Sequence, residues 1–447
     1  MSTQHPQTLQ KLAIQSLLRD KALAMEAVEH LPGALFPPVF IEAFTGGHAE
    51  VLKAMVLVWP FPCLPLGSLM EMRTTGTLDT QKNVYRMKER MFQTVLEGIH
   101  VLLSQKVCSR RFKLQVLDMR AVHQNVWTVC AENMLQGYSS EAMKRIKTRK
   151  SLPRVAEKQP LKVIVDLCIM NEWLDPVVSY LLNWAQEMEN RVHLECPKLC
   201  ITGLCIEQVT EVLRKLNLYS VQEMDMTNLH KLFISHIFVP ATISPEMKEK
   251  LFTKITSQFH KLHCLREIYM DSVEVLEGHL DQVLRCLKCP LETLSLRDCQ
   301  LSQDDWNQLP QAEQTRQLKS MGLICIRLTD FSPEPLRILL DNVAATLTTL
   351  RLENCGITDA QVCAFLPSLS CCSQLTTFCF IRNFISIATM KKLLGHTARL
   401  RSLNRELYSV PQEVYVPRDG TLQQMWNELK AHESVVIEEK KPECSNQ

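Results

Sequence analysis

The chain has 447 residues, 46% of them hydrophobic, and a formal net charge of +2. That apolar share can fill a large core, while so small a charge gives no bulk electrostatic argument for binding nucleic acid or a membrane. The longest apolar stretch, Ala54 to Met70, is cut by Pro60, Pro62 and Pro65 and is too short and broken to span a bilayer as a helix.

The opening Met1-Ser-Thr-Gln-His-Pro-Gln lacks a charged-then-apolar leader. The 18 cysteines are therefore expected as free thiols of a soluble protein in a reducing compartment, many buried as small apolar residues. Residues 7–30 predict helix, with Leu9, Leu12, Ala13, Leu17 and Leu18 at helical spacing. Asp20 is placed to end that helix and cap a second one running through Leu23 and Val28. Residues 31–70 are dense in proline and aromatics (Leu31-Pro32, Phe36-Pro37-Pro38, Trp59-Pro60-Phe61-Pro62), which favours short helices joined by rigid corners over strands. Residues 84–107 predict helix again.

Leu114-x-x-Leu117-x-Met119-x-x-Val122 is a first repeat-like strand. Residues 131–160 follow as a basic exposed loop containing Lys144-Arg-Ile-Lys-Thr-Arg-Lys150, with a nuclear import signal as the sharper alternative. The framed pattern resumes weakly at Cys196-x-x-Leu199-x-Ile201, then at Leu229-x-x-Leu232-x-Ile234 and Leu265-x-x-Ile268-x-Met270. It becomes regular in four units starting at Leu291, Leu318, Leu347 and Leu375, which are 27, 29 and 28 residues apart. That period predicts an α/β fold: a leucine-rich-repeat solenoid, a curved horseshoe of strand–helix repeats of about 26–29 residues, behind a helical N-terminal segment. Residues between the framing leucines then face the concave side, and Tyr269, Asp271, Ser295, Arg297, Arg351 and Glu353, with Ile381 and Arg382, are the candidate client-binding residues.

The resulting division is 1–70, a helical adaptor segment; 71–130, a helix and first strand; 131–160, the basic loop; 161–420, the repeats; and 421–447, a charged tail. No phosphate-binding glycine loop, H-E-x-x-H or G-x-S-x-G occurs, so no enzyme, cofactor or metal is expected. Cys286-Leu-Lys-Cys289 has zinc-like spacing without a second pair, and repeat-packing thiols are the plainer reading. Leu336-Arg-Ile-Leu339-Leu340 matches a receptor-binding L-x-x-L-L helix, but its leucines fall where a repeat helix faces the core.

Two N-terminal elements carry a sharper hypothesis. Thr8-Leu9-x-x-x-Ala13-x-x-x-Leu17 sets a small residue between two leucines on one helical stripe, the pattern of the helix that docks into Elongin C. Leu31-Pro32-x-x-Leu35-x-x-x-Val39 follows, in the order and form of the box that selects cullin-2. The bland alternatives are an amphipathic helix packing on its own domain and a proline marking a helix boundary.

The chain resembles the PRAME family along nearly its whole length. The resemblance rests on Gln15-Ser-Leu-Leu-Arg-Asp-Lys-Ala-Leu-Ala24, Leu31-Pro-Gly-Ala-Leu-Phe-Pro-Pro38 and Trp59-Pro-Phe-Pro-Cys-Leu-Pro-Leu-Gly67. Arg111 to Arg120, Cys355-Gly-Ile-Thr-Asp359 and Leu403-Asn-Arg-Glu-Leu-Tyr408 extend it. It implies a cytoplasmic or nuclear protein of germ cells, early embryos and tumours. It implies a substrate-recognition subunit of a cullin-2 RING ubiquitin ligase, partnered by Elongin B and C, cullin-2 and a RING-box protein, with protein clients such as transcription regulators. It further implies negative regulation of transcription, differentiation and apoptosis, and support of proliferation. By position, Thr8, Leu9, Ala13 and Leu17 would take the Elongin role, and Leu31, Pro32, Leu35 and Val39 the cullin role. The alternative is a repeat scaffold or transcriptional repressor that recruits no ligase. Three places depart from the family: residues 71–90 are long, the tail after Gly420 is unusual, and Val221-x-x-Met224-x-Met226 stands only eight residues before the next unit at Leu229. Eight residues cannot hold a strand and a helix, so one of those segments is expected to pack irregularly.

Overall fold

The computed structural model describes residues 8–70, 78–105, 111–120, 160–170, 173–188, 191–211, 224–225, 229–415 and 435–438. The basic segment 144–150 and nearly all of the expected loop around it lie outside them. The fold is α/β, divided into two compact units.

The first unit takes Met1–Leu167, Leu174–Cys196 and Tyr219–Asp225. It opens with helix α1 (Leu9–Arg19), whose N-cap Thr8 accepts from the Lys11 amide at 3.3 Å. Asp20 ends α1 and caps α2 (Lys21–Val28) by accepting from Leu23 N at 3.1 Å, so the expected double role is observed. Then come α3 (Phe36–Gly46), α4 (Ala49–Leu57), strand β1 (Cys63–Leu64), α5 (Gly67–Met70) and the long α6 (Leu78–Ser104). The proline-aromatic segment forms a core rather than just corners. The Trp59 ring meets Phe40 edge-on at 5.0 Å, Phe61 at 5.4 Å and Phe36 at 5.6 Å, and its indole N–H donates to the Cys63 carbonyl at 3.1 Å. That carbonyl bond helps hold the short strand that the sequence did not predict. β1 pairs in parallel with β2 (Val116–Asp118), and Gly67 lets the chain close there, since a Cβ at that position would stand 2.2 Å from the Met119 carbonyl oxygen.

The chain then alternates between two sheets. In order come β3 (Leu161–Ile164), β4 (Leu167–Met170), β5 (Trp173–Leu174), helix α7 (Pro176–Met188), β6 (Val192–Glu195), β7 (Lys198–Thr202), β8 (Met224–Asp225) and β9 (Lys231–Ile237). β1, β2, β3, β6 and β8 make a five-stranded parallel sheet, in that order. Residues 161–420 therefore do not form one array, because three of their strands belong to the first unit. The crowding near 221–232 resolves the same way. β8 and β9 are strands of different sheets, so no helix is required between them.

The second unit takes Cys168–Trp173, Pro197–Leu218 and Met226–Gln447. After β9 come α8 (Pro245–Phe259), β10 (Glu267–Val273), α9 (Leu280–Cys286), β11 (Thr293–Arg297), α10 (Gln303–Gln308) and β12 (Ser320–Ile324). The series continues with α11 (Glu334–Val343), β13 (Thr349–Glu353), α12 (Asp359–Cys371), β14 (Thr377–Phe380), α13 (Ile387–Thr397), β15 (Arg405–Ser409) and β16 (Val435–Glu438). Its sheet has eleven strands in the order β16-β15-β14-β13-β12-β11-β10-β9-β7-β4-β5. The ladders from β7 through β16 are parallel. The framing residues stand level in neighbouring strands, as in Leu294–Met321–Leu350–Phe378, and are buried. β16 lies inside the segment expected as a charged tail. Its Val-Val-Ile run suits a strand, and it covers the edge of β15.

One backbone feature repeats through this sheet. Gly203, His236, Ser272, Asp298, Cys325, Asn354 and Arg382, each two residues past a buried framing residue, all have positive φ, between 46° and 69°. There the chain turns out of its strand, and the turned amide bonds the next strand: Asp298 N to Ile324 O at 2.8 Å, Cys325 N to Glu353 O at 2.8 Å and Asn354 N to Ile381 O at 2.9 Å.

The following position is buried in all seven places, and in three of them, Cys299, Cys355 and Asn383, it carries a sulfur or polar side chain. Asn383, 1% exposed, donates to Leu352 O at 2.7 Å and accepts from Cys355 N at 3.0 Å and Ile357 N at 3.3 Å. Asn383→Ala strands all three groups and is expected to cost about 2 kcal/mol. Urea unfolding measures it, and a loss within error of zero would show that those groups find water.

Burial also pushes the thiols of Cys355, Cys372 and Cys379 up to about 12. In the unfolded chain they ionise near their ordinary value of about 8.5. The unfolded state thus loses protons first as the solution becomes alkaline. The stability these groups contribute is complete below about pH 8 and declines as pH climbs toward the folded values. Urea midpoints at about pH 7.5 and about pH 10.5 should differ, the alkaline one being lower; equal midpoints would refute the assignment.

Candidate docking surfaces

α1 turns Ile14 and Leu18 into the core of the first unit, where they are 8% and 3% exposed. Its other apolar stripe points away. Leu9 is 86% exposed, Thr8 and Ala13 are exposed, and Leu17 is half-buried. Ordinary packing on its own domain accounts for Ile14 and Leu18, but leaves Leu9 and Ala13 without a structural task. The motif did not single out Leu12, or Leu23 and Met25 on α2, all of which are also exposed; they look unremarkable in sequence because helical spacing does not say which stripe faces inward.

The second box behaves differently. Leu31 and Val39 are core residues, 9% and 3% exposed, while Pro32 is exposed and Leu35 reaches 36%. The Leu31 carbonyl accepts from the Arg111 guanidinium at 2.7 Å, and Val39 sits in α3 beside the buried Phe36 and Phe40. Of the four residues of that box, Leu31 and Val39 pack at the corner between α2 and α3, while Pro32 and Leu35 reach the surface.

In the second unit, the outer row of the sheet runs through eight of its strands as Cys200, Phe233, Tyr269, Ser295, Gly322, Arg351, Cys379 and Leu407, with Gly322 and Cys379 buried within it. The Tyr269 ring stacks on Phe233 with centroids 4.3 Å apart and planes 2° from parallel, and the Lys198 ammonium lies 4.8 Å from the Phe233 centroid. Tyr269 Oη donates to Glu267 at 2.8 Å. Burial first, then that carboxylate, pushes the phenol up to about 12, so it stays a neutral donor. Phe233 and Lys198 escaped the sequence reading because their strands match the repeat frame less well.

The other candidates divide by exposure. Ser295 and Asp271 are half-buried, Arg297 is exposed and faces Asp271 at 4.0 Å, and Arg351 is exposed. Glu353, only 7% exposed, accepts from Arg351 Nε at 2.5 Å. It therefore positions the Arg351 guanidinium and is itself nearly closed to solvent. Ile381 is half-buried and Arg382 exposed.

The remaining motifs can be placed too. Leu336, Leu339 and Leu340 are buried, so the L-x-x-L-L match is core. Cys286 and Cys289 are half-buried, and the Cys289 thiol donates to the His263 carbonyl at 2.6 Å. Among the described residues, no group of three or more His, Cys, Asp or Glu could hold a metal ion, and no helix is long and apolar enough to cross a membrane.

Residues 6–127 match the model of the PRAME N-terminal domain and residues 161–443 that of the PRAME C-terminal domain. The chain belongs to the PRAME family. Among human relatives, PRAME family member 12 is 44% identical over 434 residues, 93% of this chain and 86% of that protein. PRAME family member 20 is likewise 44% identical, with 88% of its length covered. PRAME family member 22 is 40% identical over 98% of this chain and 92% of its own. The N-terminal match spans α1 to β2 and the C-terminal match begins at β3. The PRAME boundary thus falls between β2 and β3, which are hydrogen-bonded neighbours in one sheet.

Proposed function

We propose that this PRAME-family chain is a non-catalytic substrate receptor of a cullin-2 RING ubiquitin ligase. In this reading α1 docks Elongin C through Leu9, Ala13 and Leu17, with Thr8 fixing the start of the helix. The 27-to-29-residue strand–helix units are leucine-rich repeats of a curved solenoid, and the outer row around Phe233, Tyr269, Arg297 and Arg351 holds the protein to be modified. Catalysis is then proximity supplied by partner enzymes. The clients are intracellular proteins, cytoplasmic or nuclear and including transcription regulators, and their turnover restrains differentiation and apoptosis. The observation that supports the reading most is the outward Leu9–Ala13 stripe, because a leucine 86% exposed on an ordered, capped helix is what a helix-in-groove contact uses.

A second reading, a scaffold or repressor that recruits no ligase, draws support from the burial of Leu31 and Val39, which halves the cullin box. One experiment separates the two. The full chain, and its Leu9→Asp and Leu35→Asp variants, are immobilised and offered purified Elongin B–C and cullin-2. Capture by the unsubstituted chain, lost in Leu9→Asp, supports the receptor. No capture by the unsubstituted chain overturns it in favour of the scaffold.

A further inference from the structure

Cys168 and Cys200 lie on the outer face of the neighbouring strands β4 and β7, Cys200 at the end of the outer row. Burial alternates along β4, so Leu167 and Ile169 are buried while Cys168 and Met170 are exposed. β7 alternates too, sending Leu199 and Ile201 inward and leaving Cys200 half-buried on the outer face. The two strands are hydrogen-bonded neighbours, and the alternation of both puts Cys168 and Cys200 on the same face, near enough for Cys168 to raise the Cys200 thiol. Both cysteines are free.

We propose that Cys168 and Cys200 are a modification site for peroxide-class oxidants, closing reversibly into a disulfide. Exposure decides the order. The Cys168 thiolate, reachable from solvent, attacks a peroxide oxygen; the O–O bond breaks, a sulfenic acid forms on Cys168, and the other oxygen leaves as hydroxide, which takes the proton the Cys168 thiol had released and becomes water. The Cys200 sulfur then attacks the Cys168 sulfur, the S–O bond breaks, and the hydroxyl departs with the Cys200 proton as a second water. Two thiols and one hydrogen peroxide thus give one disulfide and two waters, two electrons passing from sulfur to oxygen. Burial and the neighbouring Cys168 push the Cys200 thiol up to about 11, which suits it to the second step rather than the first.

Strand spacing fits a bridge that is made and unmade. Neighbouring strands run about 4.8 Å apart, inside the Cα range a disulfide tolerates but wider than the roughly 3.8 Å its Cβ atoms prefer. Closing the bond pulls β4 toward β7, and a strained disulfide is readily reduced by cellular thiols. Cys200 is level with Phe233, against whose ring Lys198 lies, so the bridge forms beside the aromatic part of the outer row.

The test uses the full, reduced chain. It is exposed to a small molar excess of hydrogen peroxide, alkylated, digested without reductant and examined by mass spectrometry. The expected product is a Cys168–Cys200 peptide pair lighter by two hydrogens, carrying most of Cys168 and abolished by dithiothreitol. In Cys200→Ser no such pair forms and dimedone traps Cys168 as its sulfenic acid. Accumulation of Cys168 as sulfenic or sulfinic acid in the unsubstituted chain overturns the proposal, and so do its pairing with another cysteine and recovery of both thiols unreacted. Since the deciding measurement is on the unsubstituted chain, a variant that folded poorly would not rescue the idea.

Discussion

Asp305→Ala is expected to lower the unfolding free energy by about 3–4 kcal/mol. Asp305 is 3% exposed yet ties two successive units together. One carboxylate oxygen accepts from Gly278 N at 2.6 Å and from Ser302 N and Oγ at 2.8 Å each; the other accepts from Leu280 N at 2.9 Å. The same residue closes a capping box on α10, its own amide donating to Ser302 Oγ at 3.1 Å. Alanine would leave the buried Leu280 amide with no acceptor, which is the costly case, would free the part-buried Gly278 amide, and would remove a negative charge from the N-terminal ends of α9 and α10. Asp305→Asn keeps the shape but exchanges an acceptor for a donor, so about half the loss should persist. Urea denaturation of both variants measures the effect. A loss under about 1 kcal/mol for alanine would mean that water satisfies those amides.

Leu9→Asp is expected to weaken binding to Elongin B–C at least 100-fold, or about 2.7 kcal/mol, with the melting temperature unchanged. The stability half follows from exposure, since a side chain 86% open to solvent has little packing to lose. The affinity half follows from desolvation, since a carboxylate driven into an apolar groove must shed its water without a partner. Calorimetry with the full chain gives the first and thermal unfolding the second. A variant that bound normally would remove α1 from the interface. One that unfolded would show that Leu9 belongs to the core of its own unit.

The late strands were legible in sequence because apolar residues at fixed offsets have one way to stack, and the structure sets Leu294, Met321, Leu350 and Phe378 level. The N-terminal helices were legible through their caps, Asp20 above all. The doubling of the early strands was not. β3 and β4, or β6 and β7, are runs of four or five residues separated by two, too short for a period-two pattern to show that they serve different sheets. Glu406 shows a second limit. It occupies an inward place where the neighbouring strand carries Phe378, and it is tolerated there because the buried Tyr408 hydroxyl donates to it at 2.5 Å. A carboxylate whose partner is two residues away looks in sequence like an exposed one. The docking candidates show the same limit: spacing singles out Leu9, Leu31 and Val39 alike, and only packing separates the exposed first from the buried other two.

The row of left-handed residues has a kinetic consequence. Six of the seven are not glycine, so each turn holds a conformation that costs of order 1 kcal/mol, offset where its amide reaches the next strand. A unit with a neighbour on that side recovers the cost, and a unit that has lost its neighbour does not. Opening should therefore travel inward from an end of the sheet one strand at a time, not begin in the middle. Amide hydrogens would then exchange fastest around Arg382 and Ser409 and slowest around Asp298 and Cys325, giving the array a direction of unravelling that a protease, or the unfolding motor of a degradation machine, would meet first.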